Sequence, residues 1–147
     1  ETKIRFSMNG VVLTSKLIDG AFPDYQRVIP AGNDKSVQID RQAFKDAVDR
    51  VSTIATEKSR AVKLALQPGA IIVSANNAEA GAASEEIEAD YEADSMEIGF
   101  NSRYLLDIAN QIEGDIAELV FADPAAPTIL RDKADASALY VLMPMRV

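Results

Sequence analysis

The densest concentration of chemistry-bearing residues is a run of carboxylates, Glu85, Glu86, Glu88 and Asp90. Alternate side chains of a strand share a face, so Glu86, Glu88 and Asp90 would line up as hard oxygen ligands of the kind that Mg²⁺ or Ca²⁺ takes. Such a strand is more commonly a solubilising edge that resists mispairing, and no second constellation converges on this one. A carboxylate metal-binding domain or acidic hydrolase therefore stays a minor alternative. The chain has no histidine and no cysteine. The first absence removes the commonest general base and metal ligand. The second excludes disulfides and thiolate metal sites and fits a cytoplasmic protein. No catalytic residue, cofactor or metal ligand stands out; catalysis by carboxylates or lysine stays open, so these absences lower the expectation of an enzyme without closing it.

The basic residues are more suggestive. Arg41, Lys45 and Arg50 fall on the polar face of a predicted helix, Lys58 and Arg60 lie just beyond its end, and Arg103 opens a second helix. Asp46 and Asp49 dilute the first group, and the formal net charge is −8. A mildly basic strip on an otherwise acidic molecule can meet phosphates without reading sequence. For any one residue, a solvated helix face is the simpler account.

Elements must position these residues. Lys3–Met8 and Val11–Ile18 flank Asn9-Gly10, a hairpin signature. Phe22–Pro30 has proline near each end and no helical period, so it reads as an ordered connector. A pattern then occurs twice. Ser36–Ile39 reads as a strand, Asp40 as an N-cap, and Arg41 to about Thr56 as a helix with Phe44, Ala47, Val48, Val51, Ile54 and Ala55 on its apolar stripe. Strands follow at Val62–Leu66, Ile71–Ala75 and Ser84–Tyr91. The order restarts with a strand at Met96–Phe100, Asn101 as cap, and a helix over Ser102–Glu113 that Gly114 stops. Ile116–Phe121, Thr128–Arg131 and Ala138–Met143 complete it. Two tandem β-α-β-β-β units predict an α+β domain, with antiparallel sheets and both helices on one side. The expected divisions are a remnant hairpin of a preceding domain (1–22), a linker (23–35) and the main domain (36–147). The 147 residues, 48% of them hydrophobic, suffice for that core.

Two segments are specific enough to name a family. Phe22-Pro23-Asp24-Tyr25-Gln26-Arg27-Val28-Ile29-Pro30 resembles the linker before the last domain of bacterial DNA sliding clamps, the β subunits of DNA polymerase III. Tyr140-Val141-Leu142-Met143-Pro144-Met145-Arg146-Val147 resembles their C-terminus, and Met96–Asn101 and Tyr104–Asp107 fall between in the expected order. Gln26 and Val147 depart from the commoner arginine and leucine.

The resemblance implies a C-terminal clamp domain, part of a two-chain ring that encircles duplex DNA and holds a polymerase to it. Partners would be duplex DNA, a second clamp chain, and the polymerase, clamp loader and repair proteins, which dock through a Gln-Leu-x-Leu-Phe type of motif. It places the peptide pocket at Pro23, Arg27, Val28, Asn101, Tyr104, Val141, Met143, Pro144, Met145 and Arg146. Ser59, Ala125 and Pro127 fall at variable lining positions. The DNA-facing set would be Arg41, Lys45, Arg50, Lys58, Arg60 and Arg103, and the ring joint would involve Ile54, Glu79 and Glu85. Methionine suits a pocket for several peptides, because its unbranched, polarizable side chain repacks readily. A stand-alone interaction module without a DNA role would share the fold and pocket but not the ring.

Overall fold

The computed structural model describes residues 2–55 and 60–147. The expectations for Lys58 and Ser59 lie outside them. The chain opens with β1 (Lys3–Met8) and β2 (Val11–Lys16), an antiparallel hairpin registered Lys3↔Lys16 through Met8↔Val11. Asn9 and Gly10 both take positive φ, 50° and 81°, as the tight turn matched to strand twist requires. Every residue of both strands is exposed, Phe6, Val11 and Leu13 among them, so neither face is covered by the rest of the chain described here. The predicted connector contains a short 3₁₀ turn at Tyr25–Arg27, where the Arg27 Nε sits 3.0 Å from Asp24 Oδ2.

The main body follows the doubled order. Its first unit is β3 (Lys35–Asp40), α1 (Arg41–Ser52), β4 (Ala61–Gln67), β5 (Ala70–Asn77) and β6 (Gly81–Asp90). The second is β7 (Met96–Asn101), α2 (Ser102–Ala109), β8 (Ile116–Phe121), β9 (Thr128–Asp132) and β10 (Tyr140–Leu142). All strand pairs are antiparallel, in the order β10-β9-β8-β3-β6-β5-β4-β7. The units interlock, since β3 pairs with β8 of the second unit and β7 with β4 of the first. The two halves of the sheet meet only at Gln38↔Asp90 and Ile39↔Ala89.

The helices pack against each other, and α1 also lies on β3, β4, β5 and β6. Burial follows the strand period: Val62, Leu64 and Leu66 of β4 are buried while the residues between them are half-exposed. Phe44, Val48 and Val51 of α1 and Leu105 and Ile108 of α2 close the core with Phe100, Leu119 and Phe121. Asp40 and Asn101 cap the helices as expected. The Asp40 carboxylate accepts from the Ala43 amide at 2.7 Å, and Asn101 Oδ1 accepts from the Arg103 amide at 3.0 Å.

Both helices are shorter than their apolar periodicity predicts. After Ser52, the amides of Thr53, Ile54 and Ala55 bond back three residues, so the stripe continues in 3₁₀ geometry. α2 ends at Ala109, yet Ile112 is buried, carried there by a turn whose Gln111 and Ile112 amides both reach the Ile108 carbonyl. Gly114 is therefore not the stop of that helix. Its amide donates to Asp132 Oδ2 at 2.8 Å, and a Cβ there would lie 2.5 Å from Asp132 Oδ1. β10 is likewise shorter than predicted, pairing with β9 only over Tyr140–Leu142.

Candidate protein-docking site

α2 grows directly out of β7, so the cap Asn101 and the first helical turn are fixed by an edge strand of the sheet. Tyr104 belongs by spacing to the apolar stripe, but its neighbours Leu105, Ile108 and Ala109 are buried while Tyr104 itself is 54% exposed. Beyond β10, Met143 is 59% exposed, whereas Leu142 beside it is buried. Both large side chains face solvent on an otherwise well-packed domain.

The C-terminal tail connects the two halves of this surface. The Met145 amide donates to the Gly99 carbonyl at 2.8 Å, forming an antiparallel bridge to the free edge of β7. Pro144, Met145 and Arg146 line a groove of about 570 Å³ with Ile98 and Gly99 of β7 and Pro124 and Ala125 of the β8–β9 turn. Asn101 at the end of β7 and Val141 in β10 are half-buried. Of the expected residues of the main domain, Pro144, Met145 and Arg146 share this groove, Asn101 and Tyr104 lie at the β7–α2 junction, and Val141 and Met143 lie in and just after β10. The linker trio is separate in character: Pro23, Arg27 and Val28 are all exposed, and Arg27 is engaged by Asp24. No hydrogen bond or ion pair joins that trio to Tyr104 or the tail among the described residues.

The expected DNA-facing residues fare differently from one another. The Arg41 Nε donates to the Gly114 carbonyl at 3.0 Å, which ties the start of α1 to the loop after α2. Lys45 is half-buried. Arg103 makes only a loose 3.9 Å approach to Asp107. Arg60 stands exposed with φ 47°, and its carbonyl accepts from the Ser102 amide at 2.8 Å, pinning it at the start of α2.

Arg50 grips Glu85 of β6 through two guanidinium nitrogens, one at 3.0 Å from Glu85 Oε2. Glu85 is thus tied to the helix layer rather than standing free on the strand with the other carboxylates of its run. Glu85 shares a strand face with buried Ile87, which points at α1, whereas Glu86, Glu88 and Asp90 point outward. Hydrogen bonding to Arg50 holds the Glu85 carboxyl below its ordinary range, against the opposing effect of burial. Ile54 is half-buried against the core just past α1, and Glu79 is exposed in the β5–β6 turn, its amide bonded to Asn77 Oδ1. Among the described residues, no cluster of acidic side chains is arranged to hold a metal ion, and no helix is long and apolar enough to cross a membrane.

Three positioning features escaped the sequence reading: the Gly99–tail contact, the Arg41–Gly114–Asp132 tie, and the Arg50–Glu85 pair. Glycines at 99 and 114 were the available signals. Each sits where a side chain would collide with a segment distant in sequence.

Residues 26–146 match the family model for the C-terminal domain of the DNA polymerase III beta subunit. The chain is 57% identical over 145 residues to the beta sliding clamp of Caulobacter vibrioides, covering 99% of this chain and 39% of that protein. It is 42% identical over 144 residues to that of Pseudomonas putida, again covering 39% of the relative. Among solved structures, a Bartonella birtlesii sliding clamp bound to griselimycin superposes with TM-score 0.93 at 54% identity, over 100% of this chain and 40% of that one. A Caulobacter crescentus clamp with polyethylene glycol bound, in a region its description links to beta-motif tethering, gives TM-score 0.93 at 56% identity, covering 99% and 39%. The chain thus spans about two fifths of the length of the relatives it matches. With a family match over most of its length and the same doubled fold, the chain belongs to the bacterial sliding clamps, the beta subunits of DNA polymerase III, and corresponds to their C-terminal domain.

Proposed function

We propose that this chain serves as the last domain of a cytoplasmic processivity ring. Helices α1 and α2 face duplex DNA, the tail and β7–α2 corner dock polymerase, clamp loader and repair proteins, and the α1–β6 side meets the next clamp chain. It carries no catalytic site of its own. The observation that supports docking most is the groove lined by Pro144, Met145 and Arg146 across β7, with Tyr104 exposed on the helix that follows β7 and Met143 exposed at the start of the tail, because exposed large side chains and grooves mark interaction sites. Asn101 offers a hydrogen bond at the rim, and Met143 and Met145 adapt to different peptide side chains. The linker residues Pro23, Arg27 and Val28 would line the side of the pocket shared with the preceding domain, and Val141 its floor.

The ring reading rests on family membership and on the fold, which sets both helices on one side of a continuous sheet. Topology then replaces grip: a closed ring stays on DNA with few phosphate contacts, which suits a helix face whose cations are partly engaged by the protein itself. The divisions that go with this reading are a hairpin of the preceding domain at 1–22, a linker at 23–35 and the clamp domain at 36–147.

The test is primer extension on a long single-stranded template by the cognate polymerase and loader, with a full-length clamp that carries or lacks residues 143–147. Long products with the first clamp and distributive short ones with the second are expected. Equal product lengths from both would remove docking through the tail.

A further inference from the structure

We propose that Gly99 is a positioning residue of the docking pocket, holding the wall formed by Met143–Met145 in register with the wall formed by Asn101 and Tyr104. This rests on the docking reading above. Within β7, Ile98 and Phe100 point into the core, so position 99 faces outward, and the tail lies across it. A Cβ on Gly99 would lie 2.6 Å from the Met145 carbonyl oxygen and 2.7 Å from Val147 Cγ2, with Val147 Cγ1 closer still. One of those atoms is backbone, so the tail itself would have to move. Gly99 does not take positive φ, so the backbone conformation does not demand glycine; the crossing does.

The doubled fold supplies an internal control. Counting back two residues from each helix cap, Gly99 before Asn101 corresponds to Gln38 before Asp40. Gln38 pairs with Asp90 at the β3–β6 joint, just as Gly99 pairs with Met145 at the β7–tail joint. At the first joint the partner strand stays in the sheet, and a glutamine side chain fits outside, where it accepts from Lys133 Nζ. At the second, the chain folds over the strand and only hydrogen fits. The pocket is therefore built on the joint where the repeat departs from its own pattern. Because Gly99, Asn101 and Tyr104 follow one another through the strand–helix junction, a shift of the tail at 99 changes its distance from Tyr104 directly.

The test measures a labelled Gln-Leu-x-Leu-Phe peptide against the full-length clamp, with variants Gly99→Ala, Val147→Ala, the double variant, and Met143→Ala as a control for the pocket. Gly99→Ala should weaken the peptide by about tenfold or more, a typical cost for a displaced hot-spot wall. Val147→Ala alone should change affinity by less than about twofold. The double variant should recover part of the loss, since two of the three obstructing atoms are gone. A merely structural role for Gly99 would lower the melting midpoint in step with affinity, whereas positioning weakens the peptide with the midpoint unchanged.

If Gly99→Ala does not fold, Met145→Pro tests the same bridge from the tail side, because it removes the amide that donates to Gly99. It should weaken the peptide more than Met145→Ala does. Affinity unchanged by Gly99→Ala, or by Met145→Pro beyond Met145→Ala, while Met143→Ala abolishes binding would overturn the positioning role and leave the pocket standing. Affinity unchanged by Met143→Ala as well would overturn both.

Discussion

Arg50 on α1 and Glu85 on β6 are held together by a forked ion pair that bridges the helix layer and the sheet. Two residues that the family resemblance assigns to different surfaces are thus partners in this domain. For Glu85 to serve a ring joint, it must share or exchange this arginine. Arg50→Ala should therefore alter ring stability more than domain stability, with an effect that shrinks as salt rises, because exposed pairs are readily screened. Sedimentation of the full-length ring beside thermal melting of the domain checks this. Equal effects on both would confine the pair to the domain.

The cations of the helix layer predict weak DNA binding by this chain alone. Arg50 is neutralised by Glu85, Arg41 is oriented by its bond to the Gly114 carbonyl, and the chain carries a net charge of −8. Duplex binding at physiological salt should be no tighter than the weak end of non-specific affinities, about 10⁻⁴ M. Fluorescence anisotropy with a labelled duplex is sufficient, and tight, salt-insensitive binding would count against a topological mechanism.

The doubled order of elements, both helix caps and most of the core were legible in the sequence, because they depend on local spacing: Asp40 and Asn101 each precede an apolar helical stripe. The helix ends were not. Ile54 and Ile112 remain on the stripe after α-helical geometry has given way to tighter turns, so periodicity overshoots. The reading of Tyr104 as a pocket residue rests on family resemblance alone, since spacing places it with Leu105 and Ile108. The Gly99 and Gly114 contacts were hidden for another reason. Both depend on segments brought together by the interlocking of the two units, which no local pattern reports.

Asp132 should make stability depend on pH in the acid range. The amides of Gly114 and Ala134 donate to its carboxylate and hold it below the ordinary aspartate value of 3.8. A depressed carboxyl contributes stability that is present above the unfolded value and is lost as pH falls through the folded one. Asp132→Asn should therefore be less stable than the parent near neutrality, with the gap closing below about pH 4. Urea unfolding at a series of pH values would reveal it.

Gly114→Ala probes the same tie sterically. The added methyl would meet the Asp132 carboxylate at 2.5 Å, so a loss of about 1–3 kcal/mol is expected, typical of overpacking. Denaturant titration of the domain measures it directly.

Thr128 is fully buried in β9, and its hydroxyl has no hydrogen-bond partner among the described residues. Thr128→Val keeps the shape and removes the orphaned polar group, so it should stabilise the domain by about 1 kcal/mol. Thermal melts of the two proteins decide the sign.

The most direct measurement of the docking claim is calorimetric titration of a Gln-Leu-x-Leu-Phe peptide into the full-length clamp and its Tyr104→Ala variant. Saturable binding that weakens by about 1–3 kcal/mol in the variant, with the melting midpoint unchanged because Tyr104 is exposed, is the predicted result. Equal affinity in both proteins would contradict it and move the docking surface away from the β7–α2 corner.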